Sequence, residues 1–272
     1  MAGSRKPGAV SAGKEVAMGK FDGILLASDI DGTLAIGTDI SEENRRAVEY
    51  FISGGGLFTL ATGRAPEYID KLNISTNAPM IVINGTVVYD KSSGSALQSY
   101  TFPKENISIA KEVLGHKNLK RISVFSFHEY YFENPDITDF DDFDRPINKI
   151  VFAFDDEGAT LDVKKTLEVK YSPEFVFERS WSTGLEMRSA QSGKGVCLKY
   201  IKELTGAKTT IAVGDFENDK SLLKAADISY CPMGSHPEIM AIAQRKTVPC
   251  QEHSVAHIIY ELDEKISKGL DL

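Results

Sequence analysis

Three short stretches place acidic and hydroxyl side chains at the ends of apolar runs. Ser28-Asp29-Ile30-Asp31-Gly32-Thr33 follows GILLA, Thr62-Gly63-Arg64 follows LFTLA, and Gly214-Asp215 with Asn218-Asp219 follows TTIAV. Brought together, Asp29, Asp31, Asp215 and Asp219 would set four carboxylates in one crevice, and like charges that close must be neutralised by protons or by a cation. An oxygen-only donor set favours a hard ion such as Mg²⁺, which takes one or two carboxylates and otherwise keeps water or phosphate oxygens. No His or Cys clusters with these residues, which disfavours zinc. A carboxylate is also a competent nucleophile toward phosphorus. A second carboxylate two positions on can protonate a leaving oxygen and then activate water.

The elements needed to position these groups are legible around them. GILLASDI, LFTLATGR and PMIVING read as buried strands, with SEENRRAVEYFIS (Ser41 as N-cap; Ala47, Val48, Phe51 and Ile52 as its apolar face) and PEYIDKL as helices between them. That β-α-β-α-β order predicts a parallel sheet with helical crossovers. In such a sheet ligands sit outside the carboxyl ends of the strands, where all three stretches fall. From about residue 87 the pattern changes. TVVYDKSSGSALQSYTF reads as a hairpin around a Ser-Gly turn, and strands of mixed kind with two helices run to about residue 187. The α/β rhythm then resumes through GVCLKYIKELTG, TTIAVGD, DKSLLKAA, DISYCPM and SVAHIIYELDEKIS. The expected fold is therefore a doubly wound parallel-sheet core, residues 18–86 and 188–272, with an inserted α+β unit over 87–187.

Composition bounds the rest. The chain has 272 residues, a net charge of −8, 42% hydrophobic and 26% charged residues, the profile of an ordinary globular protein. No Lys/Arg cluster stands out after the N-terminus, which argues against nucleic acid as a partner. Cys197, Cys231 and Cys250 are odd in number and widely spaced, as expected of reduced thiols in a cytoplasmic protein. No apolar run approaches the ~20 residues of a membrane helix. Residues 1–17 are basic and rich in small residues without an apolar segment, and read as a leader or disordered extension, with Met18 a plausible start.

The four motifs DxDGT, TGR, SGKG and GDxxND, in that order, resemble those of the haloacid dehalogenase superfamily, and the insertion between the second and third resembles the type IIB cap of its Cof-like branch. Asn84-Gly85, ending the third strand, also fits that branch. The resemblance implies a Mg²⁺-dependent phosphatase acting on small phosphorylated metabolites, sugar phosphates among them, through an aspartyl-phosphate. It implies Asp29 as nucleophile and Asp31 as general acid/base whose carbonyl also binds the metal. Phosphate would be held by Thr62, Gly63, Lys194 and Asn218, with the backbone amide of Ile30 as a further donor. Asp215 and Asp219 would complete the metal site with Asp29 and Asp31. Ser28 departs from the aromatic or apolar residue usual there, a packing difference. The loop DGTLAIGTDI is short, which leaves the insertion to cover the site.

Two other readings follow from the same residues: a phosphomutase-type phosphotransferase, or a non-catalytic metabolite-binding regulator on the same fold. Oligomeric state has no signal in the sequence. DFDDFD (139–144) reads as a solvated loop, and His253 with His257 as non-catalytic. Arg179 and Trp181 read as packing where the insertion returns to the core, with Glu186 and Arg188 nearer the crevice. SGKG lacks the spacing of a P-loop.

Overall fold

The computed structural model describes residues 19–133, 140 and 143–272. β1 (Ile24–Ser28) leads into a short ribbon, β2 (Ala35–Ile36) and β3 (Asp39–Ile40), followed by α1 (Glu42–Ser53), β4 (Leu57–Leu60), α2 (Pro66–Ile69) and β5 (Met80–Val82). Next come a hairpin, β6 (Val87–Asp90) and β7 (Ser95–Ser99), and α3 (Ile107–Val113). A second run comprises β8 (Leu119–Ser126), β9 (His128–Glu133), β10 (Lys149–Phe154), α4 (Glu157–Tyr171), β11 (Phe175–Trp181) and β12 (Gly184–Ser189). The chain closes with α5 (Lys194–Thr205), β13 (Thr209–Val213), α6 (Lys220–Ala225), β14 (Ile228–Pro232), α7 (Pro237–Ile242), β15 (Arg245–Thr247) and α8 (Ser254–Ser267).

The first sheet is parallel, in the order β15-β14-β13-β1-β4. Every residue of β1 is buried, as a strand covered on both faces requires. From β1 the chain steps outward to β4. It later returns to β13 on the other side of β1 and continues to β14 and β15. The order reverses between β1 and β13, and a crevice opens there at the carboxyl ends of the strands. The fold is thus the expected α/β parallel layer with an additional antiparallel sheet.

Local chemistry accounts for the helix that flanks β1 and β4. The Ser41 hydroxyl accepts the Asn44 amide at 3.2 Å and caps α1. Asn44 is itself buried. Its Nδ2 donates to the Leu34 carbonyl at 3.0 Å and its Oδ1 accepts the Ala256 amide at 2.9 Å, so one side chain ties α1 to the loop after β1 and to α8. Ala47, Val48 and Phe51 are fully buried beneath it.

The second sheet is antiparallel, in the order β11-β12-β10-β8-β9. It has its own apolar core, in which Ile122, Val124, Ile150, Phe152, Leu185 and Met187 pack beneath α3 and α4. The hairpin β6–β7 pairs with β5 rather than with this sheet. Val87 and Val88 oppose Val82 and Ile81 and are fully buried there, so apolar burial draws the hairpin to the edge of the parallel layer. Residues 1–17 lie outside the described residues.

Candidate active site

The site is assembled at the β1/β13 crevice. The Asp29 amide donates to the Val213 carbonyl at 3.0 Å, which pins Asp29 beside the end of β13. The Ile30 carbonyl then accepts the amides of Leu34 and Ala35 at 2.9 and 2.8 Å, turning the chain away. Gly32 has φ 78°, and a Cβ there would run into the Asp215 carboxylate. Glycine is therefore required both by conformation and by space. Thr33 Oγ1 donates to Asp215 Oδ1 at 3.3 Å, locking the first motif onto the fourth.

Lys194, at the start of α5, rises between two carboxylates. Its Nζ donates to Asp29 Oδ1 at 2.8 Å and to Asp219 Oδ1 at 2.6 Å, and it is 1% exposed. Asp219 Oδ2 accepts the amides of Asp215 and Phe216 at 3.0 and 3.3 Å, so Asp219 shapes the loop that presents Asp215. Burial, followed by the charge of Asp219, pushes the Asp29 carboxyl well above its ordinary range, with Lys194 opposing. The same two causes push Asp215 up to about 7.

Oxygens of Asp29, Asp215 and Asp219 lie within 4.8 Å of one another. Two buried carboxylates and the half-buried Asp215 against one ammonium leave uncompensated negative charge, and every donor is a hard oxygen. This set fits a divalent cation. The Asp31 carboxylate instead turns to Arg64, which grips it twice, Nε to Oδ2 at 2.9 Å and Nη2 to Oδ1 at 2.5 Å. Arg64 Nη2 also donates to the Gly37 carbonyl at 2.9 Å.

Above these groups lies a cavity of about 560 Å³. Asp29, Asp31, Gly63, Asp215 and Asn218 line it from the parallel layer. Arg121, Phe125, Lys149, Trp181 and Glu186 line it from the antiparallel sheet, which covers the site as the short loop after β1 requires. Thr62 is fully buried, its Oγ1 accepting the Arg64 amide at 3.1 Å. The ammonium of Lys194 is committed to its two carboxylates at the base of the site.

The two layers are joined by buried polar contacts that sequence reasoning did not anticipate. Lys149 Nζ pairs with Glu186 at 3.0 Å and donates to the Gly63 carbonyl at 3.0 Å. Both side chains are 2% exposed. Arg179 grips Glu217 Oε1 through Nε at 3.0 Å and Nη2 at 2.6 Å, while Lys164 binds its Oε2 at 3.1 Å. Arg179 is therefore more than packing: it clamps a residue of the GDFEND loop. Glu186 and Trp181 line the cavity. Arg188 pairs with Glu178 at 2.7 Å and donates to the Ser192 carbonyl at 2.5 Å, steadying the loop before Lys194.

Of DFDDFD, Asp139, Asp141 and Asp142 lie outside the described residues. Phe140 is buried, and Asp144 pairs with Lys104. His257 Nδ1 lies 3.1 Å from Thr247 Oγ1 in a structural contact, and the three cysteines are buried thiols. Among the described residues no helix is long and apolar enough to cross a membrane.

Residues 26–259 match the family model of haloacid dehalogenase-like hydrolases. The chain belongs to that family. It is 29% identical to phosphoglycolate phosphatase 2 of Saccharolobus solfataricus, over 90% of this chain and 93% of that protein. Among solved structures it is similar to a haloacid dehalogenase-like hydrolase from B. subtilis, with a TM-score of 0.75 and 23% identity over 88% of this chain and 99% of the other. It shares the fold of the subclass IIB sugar phosphatase BT4131, with a TM-score of 0.72 and 18% identity over 88% and 98% of the two chains. The curated family members it matches are named phosphatases, and the chain is an enzyme of the phosphoric monoester hydrolase type.

Proposed function

We propose that this chain hydrolyses small phosphomonoesters, sugar phosphates among them, through an aspartyl-phosphate on Asp29. The observation that carries the reading is Asp29 itself, held by Lys194 at 2.8 Å on the floor of a 560 Å³ cavity that Asp31, Gly63 and Asn218 also line. An Asp29 oxygen forms a bond to phosphorus as the ester P–O bond breaks, and the leaving oxygen takes its proton from Asp31, which acts in its protonated form, released from Arg64. Water then attacks the phosphorus and gives a proton to Asp31, releasing phosphate and restoring Asp29. The Thr62 hydroxyl, the amides of Ile30 and Gly63, and the Asn218 amide hold the phosphate oxygens, and Lys194 opposes the upward shift of Asp29 and aims it.

Asp29, Asp215 and the Asp31 carbonyl would hold Mg²⁺, with Asp219 shaping their loop. The ion supplies charge stabilisation for a transition state that spreads negative charge over the phosphoryl oxygens.

In this reading the antiparallel sheet, β8 to β12, is the cap, the hairpin β6–β7 of the expected 87–187 insertion lying instead on the parallel layer, and the cap's cavity-lining side chains select the alcohol. The relatives' own substrates are small: phosphoglycolate for one, and 5-amino-6-(5-phospho-D-ribitylamino)uracil for another. A cavity of about 560 Å³ suits such molecules. The acidic chain with three buried thiols fits a cytoplasmic enzyme. A phosphate-release screen over many phosphorylated metabolites, with Mg²⁺ and with chelator, tests the proposal. Release confined to the Mg²⁺ arm is expected, and no release from any ester would overturn it.

A further inference from the structure

The turn after β5 is built from three consecutive left-handed residues, Ile83 (φ 51°), Asn84 (φ 54°) and Gly85 (φ 76°). A β-branched residue at positive φ is strained, and such strain persists only where the surroundings over-determine it. Here they do. The Asn84 amide donates to the Thr62 carbonyl at 2.9 Å, and the Gly85 carbonyl accepts the Gly193 amide at 2.9 Å. A Cβ on Gly85 would strike the backbone of Gly193 and Lys194. One turn thus touches the segments carrying Thr62 and Lys194.

The Asn84 side chain reaches the two remaining partners. Its Oδ1 accepts from Asn218 Nδ2 at 3.0 Å. Its Nδ2 donates to Ser180 Oγ at 3.0 Å and to Glu186 Oε2. Glu186 is held in turn by Lys149 at 3.0 Å and by Ser180 Oγ at 2.7 Å. An ionised carboxylate only accepts hydrogen bonds. It therefore faces the NH₂ end of Asn84, which leaves the Asn84 oxygen facing Asn218. That oxygen takes one hydrogen of the Asn218 amide, and the rest of the amide is left with a single direction.

We propose that Asn84 and Glu186 are positioning residues that set the orientation of the Asn218 amide toward the phosphate. Acceptor-only chemistry at Glu186 is relayed through one amide to the next. Because Glu186 and Ser180 belong to β12 and β11, the Asn218 donor is aligned only when the antiparallel sheet is seated on the parallel layer. Substrate covered by the cap then meets an ordered phosphate site. The inference rests on the phosphatase reading in one respect, that Asn218 faces phosphate.

The test is a thermodynamic cycle on the full chain. Two near-isosteric variants break the donor–acceptor pattern, Glu186→Gln by allowing Asn84 to flip and Asn84→Asp by setting two carboxylates face to face. Each is made in the wild-type background and in Asn218→Ala. Affinity for inorganic phosphate is measured by calorimetry and kcat/KM with p-nitrophenyl phosphate, with thermal melts confirming folding. Each variant is expected to lower phosphate affinity and kcat/KM by about tenfold in the wild-type background, the scale of one hydrogen bond. Each is expected to change them by less than about twofold once Asn218 is alanine. Equal losses in both backgrounds would show a merely structural role and overturn the relay while leaving the phosphatase reading intact. A wild-type chain with neither phosphate affinity nor turnover would overturn both. If one variant fails to fold, the other decides.

Discussion

Lys194 Nζ and Asp29 Oδ1 lie 2.8 Å apart, although 165 positions separate the two residues in the chain. Burial alone would lower the lysine pKa, but the carboxylates of Asp219 and Asp29 outweigh it and hold the ammonium protonated above its ordinary range. Removing one partner of a buried pair leaves its mates charged and unsolvated, at a cost of about 3–5 kcal/mol. Lys194→Met is expected to lose stability on that scale in urea denaturation and to lose turnover. Lys194→Arg should fare little better, since a planar guanidinium does not fit a fully enclosed ammonium site. A Lys194→Met chain with the wild-type urea midpoint would contradict the assignment.

Asp29→Asn separates chemistry from folding. The substitution removes a carboxylate that burial and Asp219 disfavour, so the melting temperature should stay or rise. Turnover should fall by roughly six orders of magnitude, the scale of losing a nucleophile. Wild-type phosphate release from the Asp29→Asn variant would sink the mechanism.

The acidic cluster imposes a pH dependence on the metal-free chain. Asp215 keeps its proton up to about pH 7 in the folded state, whereas an unfolded aspartate loses it near pH 4. Between these values the folded state binds more protons, so stability falls as pH rises from about 4 through 7. Asp29 adds in the same direction. With chelator present, the melting temperature should be lower at about pH 8 than at about pH 5. Added Mg²⁺ competes with those protons and should raise it more at the higher pH than at the lower. A Mg²⁺ effect independent of pH would count against the cluster as the metal site.

The clamp on Glu217 behaves oppositely. Burial would raise its carboxyl pKa, but Arg179 and Lys164 outweigh that and bring it to about 2. Its contribution is therefore present above the ordinary glutamate value near 4.3 and is lost as pH falls through about 2. Near neutral pH, Glu217→Gln should loosen the antiparallel sheet from the parallel layer. Faster limited proteolysis between the two sheets is expected, with a KM raised by about three- to tenfold and kcat changed less. Unchanged proteolysis and KM would show that the clamp is incidental.

Much of this arrangement was legible in the chain itself. Apolar runs that end in Asp29, Thr62 and Asp215 are contiguous patterns, and a parallel sheet brings its strand ends to one edge. Ser41 was readable as a cap because its partner lies three residues on. The hairpin β6–β7 was readable as a hairpin, but its sheet was not, since Val87 and Val88 would bury equally well on either layer.

The polar contacts between layers had no comparable signal. Asn84 and Asn218 are 134 positions apart, and Arg179 and Glu217 are 38 apart. Each in isolation is an ordinary loop or strand residue. By itself the sequence determined the candidate reacting groups and the layer that carries them, because strand periodicity and end chemistry are local. Only the tertiary structure decided which side chains orient those groups. A buried donor takes whichever acceptor folding brings within about 3 Å, and that choice depends on how the two sheets meet.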